Sequence, residues 1–221
     1  MSEYCYKIFN GCLIHPFNMM ISGPTQSGKT EFLKKLLINK ENVIDKSIDY
    51  IVWFHGQSNP VHAEMKQLLG NRLKIVEGIP DNAFDNYIED GLNALFLFDD
   101  LSDAASKSSL MSDLICNKSH HLSISTICIM HNLFCNGKER KTLLRNCHYI
   151  VLMKNKLDMS IPYLLSTKLM PKNSKLFLSI FERATAKPFG YLLIDGHPHS
   201  IQEAKYRTDI FNFFSNSFYS P

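Results

Sequence analysis

The sequence predicts an α/β fold in which a mostly parallel β-sheet is covered by helices on both faces. Three observations predict it. Short runs that are apolar throughout recur along the chain, and strands of that kind are buried on both sides. Helical stretches separate them, as the crossovers between parallel strands require. The run Phe17–Ile21 then leads into Gly23-Pro24-Thr25-Gln26-Ser27-Gly28-Lys29-Thr30, a complete G-x-x-x-x-G-K-[ST] phosphate loop with a helical stretch behind it.

In chain order, strands are expected at Phe17–Ile21, Tyr50–Phe54, Leu73–Val76, Ala94–Phe98, Ser125–Met130, His148–Met153 and Tyr191–Ile194. Helices are expected near Glu31–Asn39, Val61–Leu69, Ala83–Asp90, Leu110–His120, Arg140–Arg145, Ser160–Leu169 and Ser174–Ala186. No repeat, low-complexity tract or Pro/Gly/Ser linker divides the chain, so residues 1–208 read as one domain. Residues 209–221 read as a tail set apart by five aromatics, Phe211, Phe213, Phe214, Phe218 and Tyr219. Such a tail packs on its own domain, frays, or docks on a neighbouring subunit or shell.

Composition narrows the function classes. Of the 221 residues, 45% are hydrophobic and 20% charged, which suits a packed core rather than a disordered chain. Runs such as Ala94–Phe98 and Tyr149–Met153 are far too short to span a bilayer. Met1–Phe9 contains Glu3 and lacks the long apolar region of a signal peptide. The six cysteines form no C-x-x-C pair, and Cys12 with His15 has no matching second pair, so a reduced, intracellular protein is expected. A net charge of +3 admits nucleic-acid binding only where the basic residues cluster.

The phosphate loop points to nucleotide chemistry. Backbone N–H groups of Gly23–Thr30 close around phosphates, and the following helix turns its positive end toward the same anion. Lys29 reaches the β- and γ-phosphates, and the Thr30 hydroxyl is suited to Mg²⁺. The run Ala94–Phe98 ends in Asp99-Asp100. Asp99 is the candidate magnesium carboxylate, and Asp100 is the candidate base that orients water, a shorter arm than the glutamate common there. The strand Ser125–Met130 ends in His131-Asn132, either of which can sense the γ-phosphate, while Asn132 equally suits a turn. Lys138, Lys141 and Arg145 share one helical face that suits DNA phosphates, a finger into a neighbour's site, or plain solvent exposure.

Asn155-Lys156-Leu157-Asp158 spells N-K-x-D, the guanine-reading text of small GTPases, so a GTP-driven switch is an alternative. Against it, Asp99-Asp100-Leu101-Ser102-Asp103 lacks the D-x-x-G glycine of such switches. A nucleotide kinase would need a basic lid that is not evident. A protein that binds nucleotide only for structural reasons would need no paired acids.

From about His15 to Phe211 the chain resembles the FtsK/HerA superfamily, and within it the genome-packaging ATPases of polinton (Maverick) and adintovirus-type double-stranded DNA viruses. The resemblance is carried by His15-Pro16-Phe17, the phosphate loop, Asp99-Asp100, Ser119-His120-His121 and Asn132-Leu133-Phe134. It continues through His148-Tyr149-Ile150-Val151-Leu152, Lys154-Asn155, Lys187-Pro188, Gly190-Tyr191-Leu192-Leu193, Arg207-Thr208 and Ile210-Phe211. It implies a P-loop NTPase of the additional-strand (RecA-like) arrangement. The implied activity is an ATP- and Mg²⁺-dependent motor that drives double-stranded DNA into a capsid. The implied partners are DNA held without sequence preference, capsid or portal proteins, and copies of the chain in a ring, with no membrane. The implied location is the nucleus or cytoplasm of an infected cell, and the virion. The family usually has Gln where His131 stands and Arg where Lys141 stands. Arg140 then takes the role of the finger offered to a neighbour, with Arg145 and Arg207 as alternatives.

Overall fold

The computed structural model describes residues 11–80, 84–101, 108–131, 133, 138–212 and 217–218, those at 138–141 and 217–218 by their backbone alone. Among them, nine strands form a single sheet. They are β1 (Asn18–Ser22), β2 (Tyr50–His55), β3 (Leu73–Glu77), β4 (Ala94–Asp99), β5 (Ile124–Met130), β6 (Tyr149–Met153), β7 (Tyr191–Asp195), β8 (Tyr206–Thr208) and β9 (Ser217–Phe218). Their spatial order is β3-β2-β4-β5-β1-β6-β7-β8-β9. The six from β3 to β6 are mutually parallel, and β7, β8 and β9 extend the sheet antiparallel.

The period-two geometry of strands sorts their residues onto two buried faces. Met19, Ile21, Ile51, Trp53, Leu95, Leu97, Ile127 and Val151 face one core. Helices α1 (Lys29–Ile38), α2 (Lys40–Val43) and α3 (Pro60–Leu69) close that side with Phe32, Leu33, Val43, Met65 and Leu69. Met20, Val52, Phe54, Phe96, Phe98, Cys128 and Leu152 face the other core. It is covered by α4 (Ser109–Asp113), which continues through a π turn at Leu114–Lys118 into α5 (Ser119–His121), and by α6 (Lys138–Arg145), α7 (Ser160–Leu169) and α8 (Ser174–Ala184). Two-sided burial explains why the strands read as continuous apolar runs rather than alternating ones.

All seven expected strands are present within one or two residues of their expected bounds. The helix expected at Ala83–Asp90 is a correction: among its described residues only Asp85–Tyr87 form a single 3₁₀ turn. One turn suffices there, because Phe84 and Tyr87 both reach the ring of Phe54, at 5.4 and 5.2 Å between centroids. The short strands β8 and β9 carry no apolar signature. In β8, Arg207 is buried in an ion pair where a hydrophobic residue would be expected. Ser217 and Phe218 pair with Thr208 and Arg207, and Phe211 packs against Phe32 and Tyr191.

Candidate nucleotide site

The strand order brings the two predicted motifs to one edge. β5 lies between β1 and β4, so the loop after β1 and the acids ending β4 both open on the carboxyl edge of the parallel strands. Neighbouring strands are about 4.8 Å apart, so a gap of about 10 Å separates the two motifs. That gap suits a triphosphate and one ion.

The loop keeps its shape where side chains would not fit. A Cβ on Gly23 would come within 2.6 Å of Ser27 Oγ and 2.8 Å of Met153 Cβ. Gln26 and Gly28 have φ of 62° and 103°, left-handed values that only glycine adopts at little cost. Lys29, 8% exposed, donates from Nζ to the carbonyls of Gly23 (2.8 Å) and Pro24 (2.7 Å), so its charge lies under the loop. Burial lowers its pKa, and Asp100 and Asp99 oppose that shift. Thr30 follows in the first turn of α1.

Across the gap, Asp99 is also 8% exposed. Burial and then the adjacent Asp100 push its carboxyl up to about 6, against Lys29 and His55, which pull it down. Asp100 turns out of the strand at φ 53°. Gly56 makes that turn possible. Its N–H donates to Asp99 O at 3.0 Å, and a Cβ there would lie 2.5 Å from Asp100 O. The Asp100 carboxylate meets His131, with Oδ1 3.3 Å from Nε2 and both side chains about half exposed. The donor set fits a hydrated magnesium ion and a triphosphate. A buried carboxylate left short of positive charge, a hydroxyl at Thr30 and a lysine-backed loop are what that pair requires.

Lys29, Asp99, Asp100 and His131 are therefore brought together. Asn132 lies outside the described residues, and so does the side chain of Arg140. The backbone places Arg140 near the start of α6, which follows the carboxyl end of β5. Arg145 stands at the opposite edge, beside Asn18 and His148. Arg207 is corrected as a finger candidate: it is 1% exposed and its Nη2 lies 2.6 Å from Asp195 Oδ2. Of the lysines that charge alone offers as DNA contacts besides the 138–145 cluster, Lys118 pairs with Asp113 (3.4 Å) and Asp85 (3.7 Å), while Lys107 lies outside the described residues.

In the N-K-x-D segment both polar side chains serve their own loop. Asn155 Oδ1 accepts from Leu157 N at 3.0 Å and Asp158 Oδ1 from Ser160 N at 2.8 Å. That backbone donor lowers the pKa of Asp158.

His55 was not anticipated. It ends β2 opposite Asp99 in register, is 8% exposed, and has no hydrogen-bond partner at Nδ1. Its ring lies 4.5 Å from that of His62, which lies 4.7 Å from Trp53. The available signal was a polar residue closing an apolar strand, and it gains meaning only once β2 is known to flank β4.

The fold and site together define a P-loop nucleotide-binding protein with the extra strand β5 inserted between loop and acids. The profile of the poxvirus A32 protein family matches residues 7–195, and the chain belongs to that family. No curated protein sequence matches it. Among solved structures it is similar to the genome packaging NTPase B204 of Sulfolobus turreted icosahedral virus 2, determined in complex with ATPγS. That similarity has a TM-score of 0.54 at 12% identity, covers 93% of this chain and 98% of the other, and shows the shared fold. Among the described residues no helix is long and apolar enough to cross a membrane.

Proposed function

We propose that this chain is the ATP-hydrolysing motor that moves double-stranded DNA into a viral capsid, working as a ring of identical subunits. The observation that carries the hydrolytic part is the meeting of Lys29, Asp99, Asp100 and His131 on one sheet edge. Membership of the poxvirus A32 family and the fold shared with a packaging NTPase support the viral role. The FtsK/HerA and polinton-type resemblance belongs to the same reading.

Gly23–Thr30 cradle the triphosphate of ATP, and Thr30 with Asp99 hold Mg²⁺. The metal, when bound, offsets charge on the transferred phosphoryl group. Lys29 leaves the loop carbonyls for the β- and γ-oxygens. Asp100 accepts the proton of the attacking water at Oδ as the water oxygen bonds to the γ-phosphorus and the bond to the leaving ADP breaks, and His131 fixes that carboxylate and, with Asn132, reports the γ-phosphate. Arg140 of a neighbouring subunit supplies transition-state charge. DNA is held through its phosphates, so binding weakens steeply with salt. Capsid or portal proteins are the remaining partners, in the nucleus or cytoplasm of the infected cell and on the virion.

The guanine-switch reading is disfavoured, because Asn155 and Asp158 are engaged with their own loop. The remaining rival is a virion component that holds nucleotide without turnover. Asp100→Asn decides between them: steady-state ATP hydrolysis falls roughly 100-fold or more while ATP is still bound. Equal hydrolysis by variant and parent removes Asp100 from the mechanism. A parent that binds ATP but never releases phosphate supports the rival.

A further inference from the structure

The γ-end of a bound triphosphate is fixed by Lys29 and Asp99 on the β4 and β5 side of β1. The nucleoside end must then leave on the other side, across the first turn of α1 and over β6 and β7. A cleft of about 700 Å³ opens there, and Gly28 and Glu31 of the loop and α1 line it.

Its most unusual lining residue is Phe189. The turn from α8 to β7 closes through Gly190 N–H donating to Lys187 O at 2.9 Å. Phe189 sits in that turn at φ 59°, a left-handed conformation that is an outlier for a bulky side chain. The residue is nonetheless 66% exposed, so burial does not compensate the cost. It is held against the phosphate loop: a Cβ on Gly28 would lie 3.0 Å from its Cδ1. Phe32, which also lines the cleft, packs on Tyr191 and Phe211, at 4.8 and 5.1 Å between centroids.

We infer that Phe189 is the platform on which the purine base of the nucleotide stacks. Glycine would form this turn without strain, and an exposed ring braced against a phosphate loop offers its face to a flat, polarisable partner. The assignment rests on Gly23–Thr30 cradling a triphosphate. It places base contact on the α8–β7 turn and not on the N-K-x-D loop.

The test titrates the full chain, with magnesium, against ATP and against inorganic tripolyphosphate, which shares the phosphates and lacks the base. Phe189→Gly should weaken ATP binding about tenfold relative to tripolyphosphate. It should not lower the melting temperature, because glycine accepts the positive φ. Phe189→Leu keeps the bulk and the backbone cost but has no aromatic face, and should lose several-fold in the same ratio. Phe189→Tyr should stay within threefold of the parent. An ATP-to-tripolyphosphate affinity ratio unchanged in the Gly and Leu variants overturns the assignment while leaving the loop reading intact. A parent that binds neither compound overturns both, and Lys29→Ala shows that difference by losing both together.

Discussion

The two edges of the sheet use polar residues in opposite ways. At the amino edge most are spent on one another, although His15 Nε2 and Arg207 Nε have no partner and Ser123 holds a left-handed backbone. Asn18 Nδ2 donates to Ile115 O and Asn146 O, each at 3.1 Å, and its Oδ1 accepts from Thr126 Oγ1 at 2.8 Å. Ser125 Oγ accepts from Phe17 N at 3.0 Å and lies 2.7 Å from His15 Nδ1, while Asp195 is joined to Arg207. At the carboxyl edge, Asp99 and Asp100 crowd like charges together, Gln26, Asp100 and Phe189 hold left-handed backbones, and His55 Nδ1 has no partner. Closed networks stabilise a fold, and uncompensated charge and strain mark a place where something else is to bind. The comparison teaches which edge is scaffold and which is site.

The strongest way to break it is to damage the scaffold. Burial raises the pKa of Asp195, and Arg207 is the cation that opposes the rise. Arg207→Ala leaves that carboxylate buried and unpaired, at a cost of about 3–5 kcal/mol in urea unfolding. Hydrolysis per folded molecule should be unchanged at low temperature. A variant that stays fully stable yet loses hydrolysis would return Arg207 to the active site and dissolve the division between edges.

Acid sharpens the comparison, because the amino-edge histidines and Asp99 of the site answer it with opposite sign. His15, His148 and His197, all at the amino edge, are held down to about 4, chiefly by burial, from an ordinary 6.5. Between those values the unfolded chain binds protons that the folded chain refuses, so stability falls as pH drops from 6.5 toward 4. The slope is up to about 1.4 kcal/mol per pH unit for a fully protected group, and smaller for the half-buried His148 and His197. Asp99, raised to about 6, works the other way, since below that pH the folded state takes up its proton first, and Asp195, also raised by burial, adds to it at the amino edge. The net expectation is a urea midpoint that falls on acidification, and falls more steeply in Asp99→Asn. A midpoint that rises from pH 6.5 to 4 would contradict it.

How much of this was legible in the sequence follows the same division. The interior strands were readable because two-sided burial makes each an unbroken apolar run, as at Leu95-Phe96-Leu97-Phe98. The loop and the acids were readable because their chemistry needs fixed residue types at fixed spacing. What could not be read depends on neighbours. Arg207 reads as a free cation until Asp195 is seen beside it, and His55 as a strand end until β2 is found next to β4. Phe189 reads as one phenylalanine of fifteen until its φ and its contact with Gly28 are known. Asn155 and Asp158 show the reverse, a motif legible as text whose side chains are occupied by a local turn.

The smallest effect concerns His131, where this chain departs from the glutamine of the family it resembles. Its Nε2 lies 3.3 Å from Asp100 Oδ1, and a glutamine amide can donate to the same carboxylate. His131→Gln should therefore hydrolyse ATP within about threefold of the parent, and His131→Ala about tenfold more slowly with ATP affinity little changed. The contrast between the two variants carries the inference, because both remove the ring and only one restores a donor. Equal loss in Gln and Ala would mean that the imidazole contributes something beyond a donor to Asp100. No loss in either would reduce the pair to a surface contact, and leave Asp100 held by its left-handed backbone and Gly56 alone.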